Sequence, residues 1–194
     1  MPYSHDHKQQ SRERILQSAA RLFTRRGFEG TSINEIMADA RLTRGAFYAH
    51  FKSKHDLYAQ AISGAPLFSP LARPKPEDVD QQAWLLQLVS EYLSMGHINE
   101  AEMPCPLAFL ITDVALNDRE AREAYTEVFL KMSRILRMAT RTGSRLDRER
   151  VMAITSMMIG GVAIARTLTD EKAQLGLLRG CRRVASELIS ERKL

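Results

Sequence analysis

Three helix-start signals fall close together between residues 31 and 54, and they constrain this chain more than any other feature. Ser32 is followed three residues later by Glu35, the spacing of a capping box. Thr43 and Ser53 supply the next capping hydroxyls, eleven and ten residues further on. Starts so closely spaced leave room only for short helices joined by tight turns. The expected elements are a helix over about 33–40, a turn at Arg41-Leu42, a helix over about 43–50, and a helix from Lys54 to near Gly64. Ahead of them Ile15, Ala19, Leu22, Phe23 and Arg26 follow helical spacing, with Ser11 as the expected cap and Gly27 as the stop. Residues 1–10 read as a flexible basic arm.

Helices two and three, joined by a few residues, have the proportions of a helix-turn-helix within 11–63. In that arrangement the second helix enters the major groove, and its N-terminal residues reach base edges first. Here these are Thr43 and Arg44. Arginine pairs bidentately with guanine, and threonine bonds a base or a phosphate. Gly45 has no side chain, so backbone can approach closely. Tyr48 and His50 carry polar tips suited to phosphate oxygens. Lys54 opens the next helix, where an ammonium and the helix end both favour an anion. Phe47, Phe51 and Leu57 are the inward counterparts.

Charge points the same way. Residues 1–60 hold ten Lys/Arg against six Asp/Glu, and the rest hold eighteen against seventeen. A basic segment on a nearly neutral remainder suits a polyanion, although a solvated basic surface would look alike by charge alone.

These residues resemble the TetR/AcrR family of transcriptional regulators. The resemblance lies in Ile15–Phe23, Gly27-Phe28, Thr31–Ile36 and Thr43–Lys54 with Leu57, and Gly-x-Phe-Tyr-x-His-Phe-x-Ser-Lys is its most specific stretch. It implies that Thr43, Arg44, Gly45, Tyr48, His50 and Lys54 face DNA and that Thr31 and Ser32 touch phosphates. The chain departs from the family at Arg41, where the turn usually holds glycine. A left-handed Arg41 would cost about 1 kcal/mol relative to glycine. Its cation either meets a phosphate or is simply tolerated.

Residues 64–80 carry Gly64, Pro66, Pro70, Pro74 and Pro76, which makes them the expected linker. Beyond it helices are expected over about 80–95, 106–117, 119–142, 147–168 and 171–191. The fold class is therefore all-α, an N-terminal three-helix head and a C-terminal helical bundle over 81–194. The resemblance implies a ligand-binding and homodimerising body that pairs through its last two helices. Gly160, Gly161 and Ala165 in the first, and Gly176 and Gly180 in the second, allow close axes between subunits or within one. Trp84, Tyr92, Phe109, Tyr125, Phe129, Met132 and Met152 either line a pocket for a small hydrophobic ligand or form plain core. Asp113 faces either that pocket or solvent. Cys105, before a helix starting at Pro106, is either a redox-sensing thiol or a small buried residue. The arginines at 134, 137, 141, 145, 148 and 150 read as a solvated helix face.

The overall expectation is a repressor of a palindromic DNA operator, released by a small molecule or reactive species. An enzyme finds little support: there is no metal-ligand cluster, no Gly-rich phosphate loop and no nucleophile motif, and no catalytic residue or cofactor is expected. An architectural DNA-binder without a ligand is the other alternative. Two cysteines are too few for a disulfide framework, and the least charged stretch, 151–165, is shorter than the ~20 residues that span a bilayer. A cytoplasmic, membrane-free protein is expected.

Overall fold

A computed structural model describes residues 5–64, 74–99, 105–138 and 148–190. Pro66, Pro70, Arg141, Arg145 and the first four residues of the expected arm lie outside them. The described residues are all helical, without a strand. They fall into two compact units, one of Met1–Ala65 with Glu102–Val128, the other of Pro66–Ala101 with Phe129–Leu194.

The first unit begins with α1 (His5–Arg26), α2 (Ile33–Asp39), α3 (Arg44–Phe47) and α4 (Lys54–Ser63). Helix α1 starts earlier than the expected cap at Ser11, which is buried inside it. The Gln9 amide donates to Glu13 one turn on at 2.8 Å, carrying helical order back through the polar residues. The helix ends at Gly27, whose φ of +73° is left-handed and whose N–H reaches the Phe23 carbonyl at 2.8 Å. Ser32 and Glu35 form the expected capping box. Ile15, Phe23, Ile36, Phe47, Leu57 and Tyr58 are fully buried. Phe23 meets Tyr58 edge-on with ring centroids 4.8 Å apart, and Phe28 meets it at 5.1 Å.

The α2–α3 turn is a Schellman motif. The Arg41 N–H reaches Ala38 O at 3.0 Å and the Leu42 N–H reaches Met37 O at 2.9 Å. The motif needs a left-handed residue, and Arg41 takes it at φ +55°. It is the one non-glycine with positive φ among the described residues. Arg14 of α1 donates to Ala40 O and so places a cation at the C-terminal end of α2.

The same unit contains α7 (Pro106–Phe109), α8 (Ile111–Ala115) and the first part of α9 (Arg119–Met138). The single helix expected over 106–117 is thus two, turning at Leu110 (φ −111°, ψ 8°). The turn keeps Leu107, Ala108, Leu110 and Val114 buried together.

The second unit holds α5 (Gln81–Tyr92), α6 (Met95–Ile98), the end of α9, α10 (Arg148–Thr167) and α11 (Glu171–Ser190). The helix expected over 80–95 stops early because Ser94 starts a new one. Its hydroxyl donates to Glu91 O and accepts from His97 N–H. Helices α10 and α11 pack together, with α5 against both. Gly161 makes this possible. A Cβ there would lie 3.1 Å from both Cys181 Sγ and Leu93 Cδ2. Ala165 is fully buried too. These two small residues therefore pack inside the subunit, which corrects their expected place at a dimer contact.

Candidate nucleic-acid interface

Helix α3 and its two caps present a row of exposed residues. At the starts of α2 and α4 the capping hydroxyls are engaged, Ser32 with the Glu35 N–H at 3.2 Å and Ser53 with the Asp56 N–H at 3.0 Å. At the start of α3 the Thr43 hydroxyl makes no cap bond. Thr43, Arg44, Gly45 and Tyr48 are all exposed, Tyr48 by 62%. Arg44 has no hydrogen-bond or ion-pair partner among the described residues. A Cβ added at Gly45 would meet nothing within 4 Å, so the glycine leaves the outer backbone bare rather than relieving a clash inside the protein. The opposite face anchors the helix. Phe47 and Phe51 are buried, with ring centroids 5.8 Å apart.

His50 closes this face. Its Nδ1 is buried and has no partner among the described residues. Desolvation pushes its pKa below the usual histidine value, and the nearby charges of Lys8 and then Arg12 push the same way. The ring is therefore neutral near pH 7. Lys8 and Arg12 were not singled out from sequence. They sit in α1 far along the chain, and only the fold brings them to His50. The Arg12 guanidinium lies 5.6 Å from the Phe51 ring centroid and donates to Gln60.

Three expected phosphate ligands stand differently. The Lys54 ammonium is held 4.1 Å above the Phe28 ring, which fixes it at the first turn of α4. Thr31 is only 1% exposed, and its hydroxyl donates to Gly27 O at 2.9 Å. It is a structural bond of the α1–α2 connection, with no oxygen presented outward. Ser32 is exposed, and its hydroxyl also donates to Glu35 at 2.7 Å.

Asp113 is half-buried and bonded within its own unit. Both its carboxylate oxygens accept the Phe28 N–H at 3.1 Å, and one accepts the buried Tyr58 hydroxyl. A Cβ at Gly27 would lie 2.8 Å from this carboxylate. Helix α8 is thereby pinned to the α1–α2 connection and to α4. Burial, then the hydrogen bond and charge of Asp113, push the Tyr58 pKa far up.

The other expected pocket residues are spread over both units. Phe109 and Tyr125 belong to the first, and Trp84, Tyr92, Phe129, Met132 and Met152 to the second. Tyr92 and Met132 are buried core, and Tyr125 donates to Leu107 O at 2.7 Å. Cys105 is 9% exposed and opens a four-residue helix without a side-chain cap bond. Its neighbour Tyr125 has its pKa pushed up to about 12, first by burial and then by Cys105. These features fit a small buried residue. Among the described residues no group of three or more His, Cys, Asp or Glu could hold a metal ion. No described helix is long and apolar enough to cross a membrane.

Comparison with known proteins gives this geometry its setting. Residues 15–61 match the family model of bacterial regulatory proteins of the tetR family. The HTH-type transcriptional regulator AcrR of Shigella flexneri is 48% identical over 52 residues, covering 27% of this chain but only 24% of that protein. The HTH-type transcriptional repressor BepR of Brucella suis is 27% identical over 205 residues, covering 94% of this chain and 92% of that one. The solved structure of reduced NemR from E. coli has the same fold, with a TM-score of 0.75 at 16% identity, over 91% of this chain and 95% of that one. Residues 15–61 thus match the tetR-family regulatory head in sequence, and the all-helical fold is shared along nearly the whole length.

Proposed function

We propose that the protein is a dimeric repressor that holds a near-palindromic operator and leaves it when a small molecule binds. The observation that carries the DNA half is the outer face of α3 with its two caps: a capping hydroxyl without a cap bond, an arginine without a hydrogen-bond or ion-pair partner among the described residues, a bare glycine and an exposed tyrosine. Arg44 reads a base edge, and Thr43, Tyr48, His50, Lys54 and the exposed Ser32 position the head on phosphates.

The dimer half rests on α10 and α11. Gly160, Gly176 and Gly180 have open space where a Cβ would sit. Ile164, Leu175 and Val184 on the same two helices are exposed by 54%, 40% and 36%. Bare glycines among exposed apolar side chains suit a tight helix–helix contact with a second copy. A two-fold dimer sets its recognition helices about one DNA turn apart, ~34–36 Å, and so reads a near-palindrome.

Fluorescence anisotropy with the DNA upstream of the protein's own gene tests the reading. Arg44→Ala is expected to weaken binding by about 1–3 kcal/mol and relax preference at one base pair. Lys54→Ala should weaken all sequences alike and flatten the salt slope by about one. Binding to that DNA with no preference for any half-site refutes the operator reading. Equal loss on every sequence from Arg44→Ala reassigns Arg44 to phosphate.

A further inference from the structure

In the second unit, α9 and α10 enclose a cleft of about 250 Å³ that no part of the DNA-binding head accounts for. Its apolar wall is Leu130, Val151 and Met152, and its rim is Arg134, Arg137 and Arg148. Among the described residues no carboxylate lines it. Arg134 and Arg148 have no ion-pair or hydrogen-bond partner among the described residues. Leu130 is 39% exposed, a large apolar side chain left uncovered beside those cations.

At the base lies a pair of buried hydroxyls, Ser133 and Thr155, 3.1 Å apart. Ser133 also bonds to Phe129 O at 3.0 Å and Thr155 to Val151 O at 2.8 Å. Three short contacts share only two hydroxyl protons. Both protons are therefore committed within the protein.

A solvated arginine face accounts for the guanidiniums alone. It does not account for the uncovered leucine or for the hydroxyl pair beneath. An inorganic anion would leave Leu130 and Met152 bare, and a neutral hydrophobe would leave Arg134 and Arg148 uncompensated.

We infer that this cleft binds a small amphipathic organic anion, a carboxylate or similar head with a short apolar tail. The guanidinium forks of Arg134 and Arg148 take the head group, and the tail covers Leu130, Val151 and Met152. The inference names a ligand class for the release step proposed above and rests on that reading for its regulatory consequence only. Binding itself is measured independently.

Calorimetric titration of the full chain with sodium octanoate, at constant ionic strength, is the test. Octylammonium and 1-octanol serve as probes of equal length and different charge. Saturable octanoate binding, tighter than either of the others by about tenfold or more, is expected. The Arg134→Gln/Arg148→Gln double variant should lose about tenfold or more, the scale of a charged hydrogen bond. Arg122→Gln, an exposed arginine of the same helix outside the cleft, should bind as the parent does. Unchanged helical content by circular dichroism shows that the double variant is folded. Octanoate binding no tighter than octanol, an unaffected double variant, or displacement of octanoate by a short duplex lacking the operator overturns the inference. Operator release is followed separately by anisotropy. Octanoate binding without release upholds the cleft and removes it from the switch.

Discussion

Arg41 occupies a backbone position that glycine would fill at lower cost, and Arg41→Gly should therefore stabilise the head. A non-glycine L-residue in the left-handed region costs roughly 1–2 kcal/mol. Glycine returns part of this, about 0.4–1 kcal/mol, through the greater freedom of its unfolded chain. The net expectation is a gain of about 1 kcal/mol. Nothing else in the turn should change. The Arg41 and Leu42 amides donate to Ala38 O and Met37 O through backbone atoms that the substitution keeps. The Arg41 side chain is exposed, and no ion pair is lost among the described residues.

Urea unfolding followed by circular dichroism at 222 nm measures the gain, and a 1 kcal/mol change in a chain of this length corresponds to about 2–4 °C in Tm. Arg41→Ala is the informative companion. It removes the guanidinium but keeps the left-handed strain, so it should stay within about 0.5 kcal/mol of the parent. Arg41→Asn should fall between, because asparagine visits this region more readily than most. The order Gly above Asn above Ala, with Ala near Arg, is the signature of backbone strain. A glycine variant no more stable than the parent refutes the strain account, and an alanine variant as stable as the glycine one assigns the effect to the side chain. The same variants examine the second role of Arg41. If its cation meets a phosphate, both Arg41→Gly and Arg41→Ala lower operator affinity and reduce the salt slope by about one.

Asp113→Ala should destabilise the protein by about 2–3 kcal/mol, read by urea unfolding, because the Phe28 N–H and the buried Tyr58 hydroxyl lose their acceptor. Gly27→Ala should destabilise by at least about 1 kcal/mol, since it meets both the left-handed backbone and the Asp113 carboxylate. Stability should fall as pH rises above about 10. Tyr58 and Tyr125 keep their protons in the folded state beyond the pH at which the unfolded chain releases them, so their contribution is complete below the unfolded pKa and is lost above it. Tyr58→Phe should shallow that alkaline loss in pH-dependent unfolding. Leu175→Glu or Val184→Glu should shift the protein to a monomer in light scattering while leaving its helical content unchanged.

The head could be read from sequence because its determinants are local. Ser32 with Glu35, the hydroxyl at Ser53 and the stop at Gly27 each act within one turn of the residue that carries them, and each is found as expected. The apolar positions Ile15, Phe23, Phe47 and Leu57 needed only helical periodicity to be placed inside. Even the strained turn was visible, as an arginine where the geometry wants a glycine. What stayed hidden depends on separations of tens of residues. Asp113 looked like a polar residue in an apolar run, and its partners Phe28 and Tyr58 lie 85 and 55 positions away. Nothing in the spacing around Asp113 signals that an amide at the end of α1 will point at it. Arg14 on Ala40 O, and Lys8 and Arg12 beside His50, are hidden for the same reason.

The small residues of α10 and α11 sharpen this distinction. Composition marked all five as sites of close approach, and the structure separates them by what surrounds each. Gly161 and Ala165 face their own subunit, and Gly160, Gly176 and Gly180 face open space. Gly160 and Gly161 are neighbours, so helical geometry turns them about 100° apart and one cannot share the role of the other. At a glycine packed within the subunit any larger residue obliges its neighbours to move, because Cys181 Sγ and Leu93 Cδ2 lie 3.1 Å from where a Cβ would sit. A glycine needed only at the partner contact accepts alanine without harm to the monomer. Gly161→Ala should therefore lower unfolding stability, whereas Gly176→Ala should leave it unchanged or raise it and act on dimerisation alone. Equal effects of the two on monomer stability would mean that both helices face inward on all sides, and that the second copy binds elsewhere.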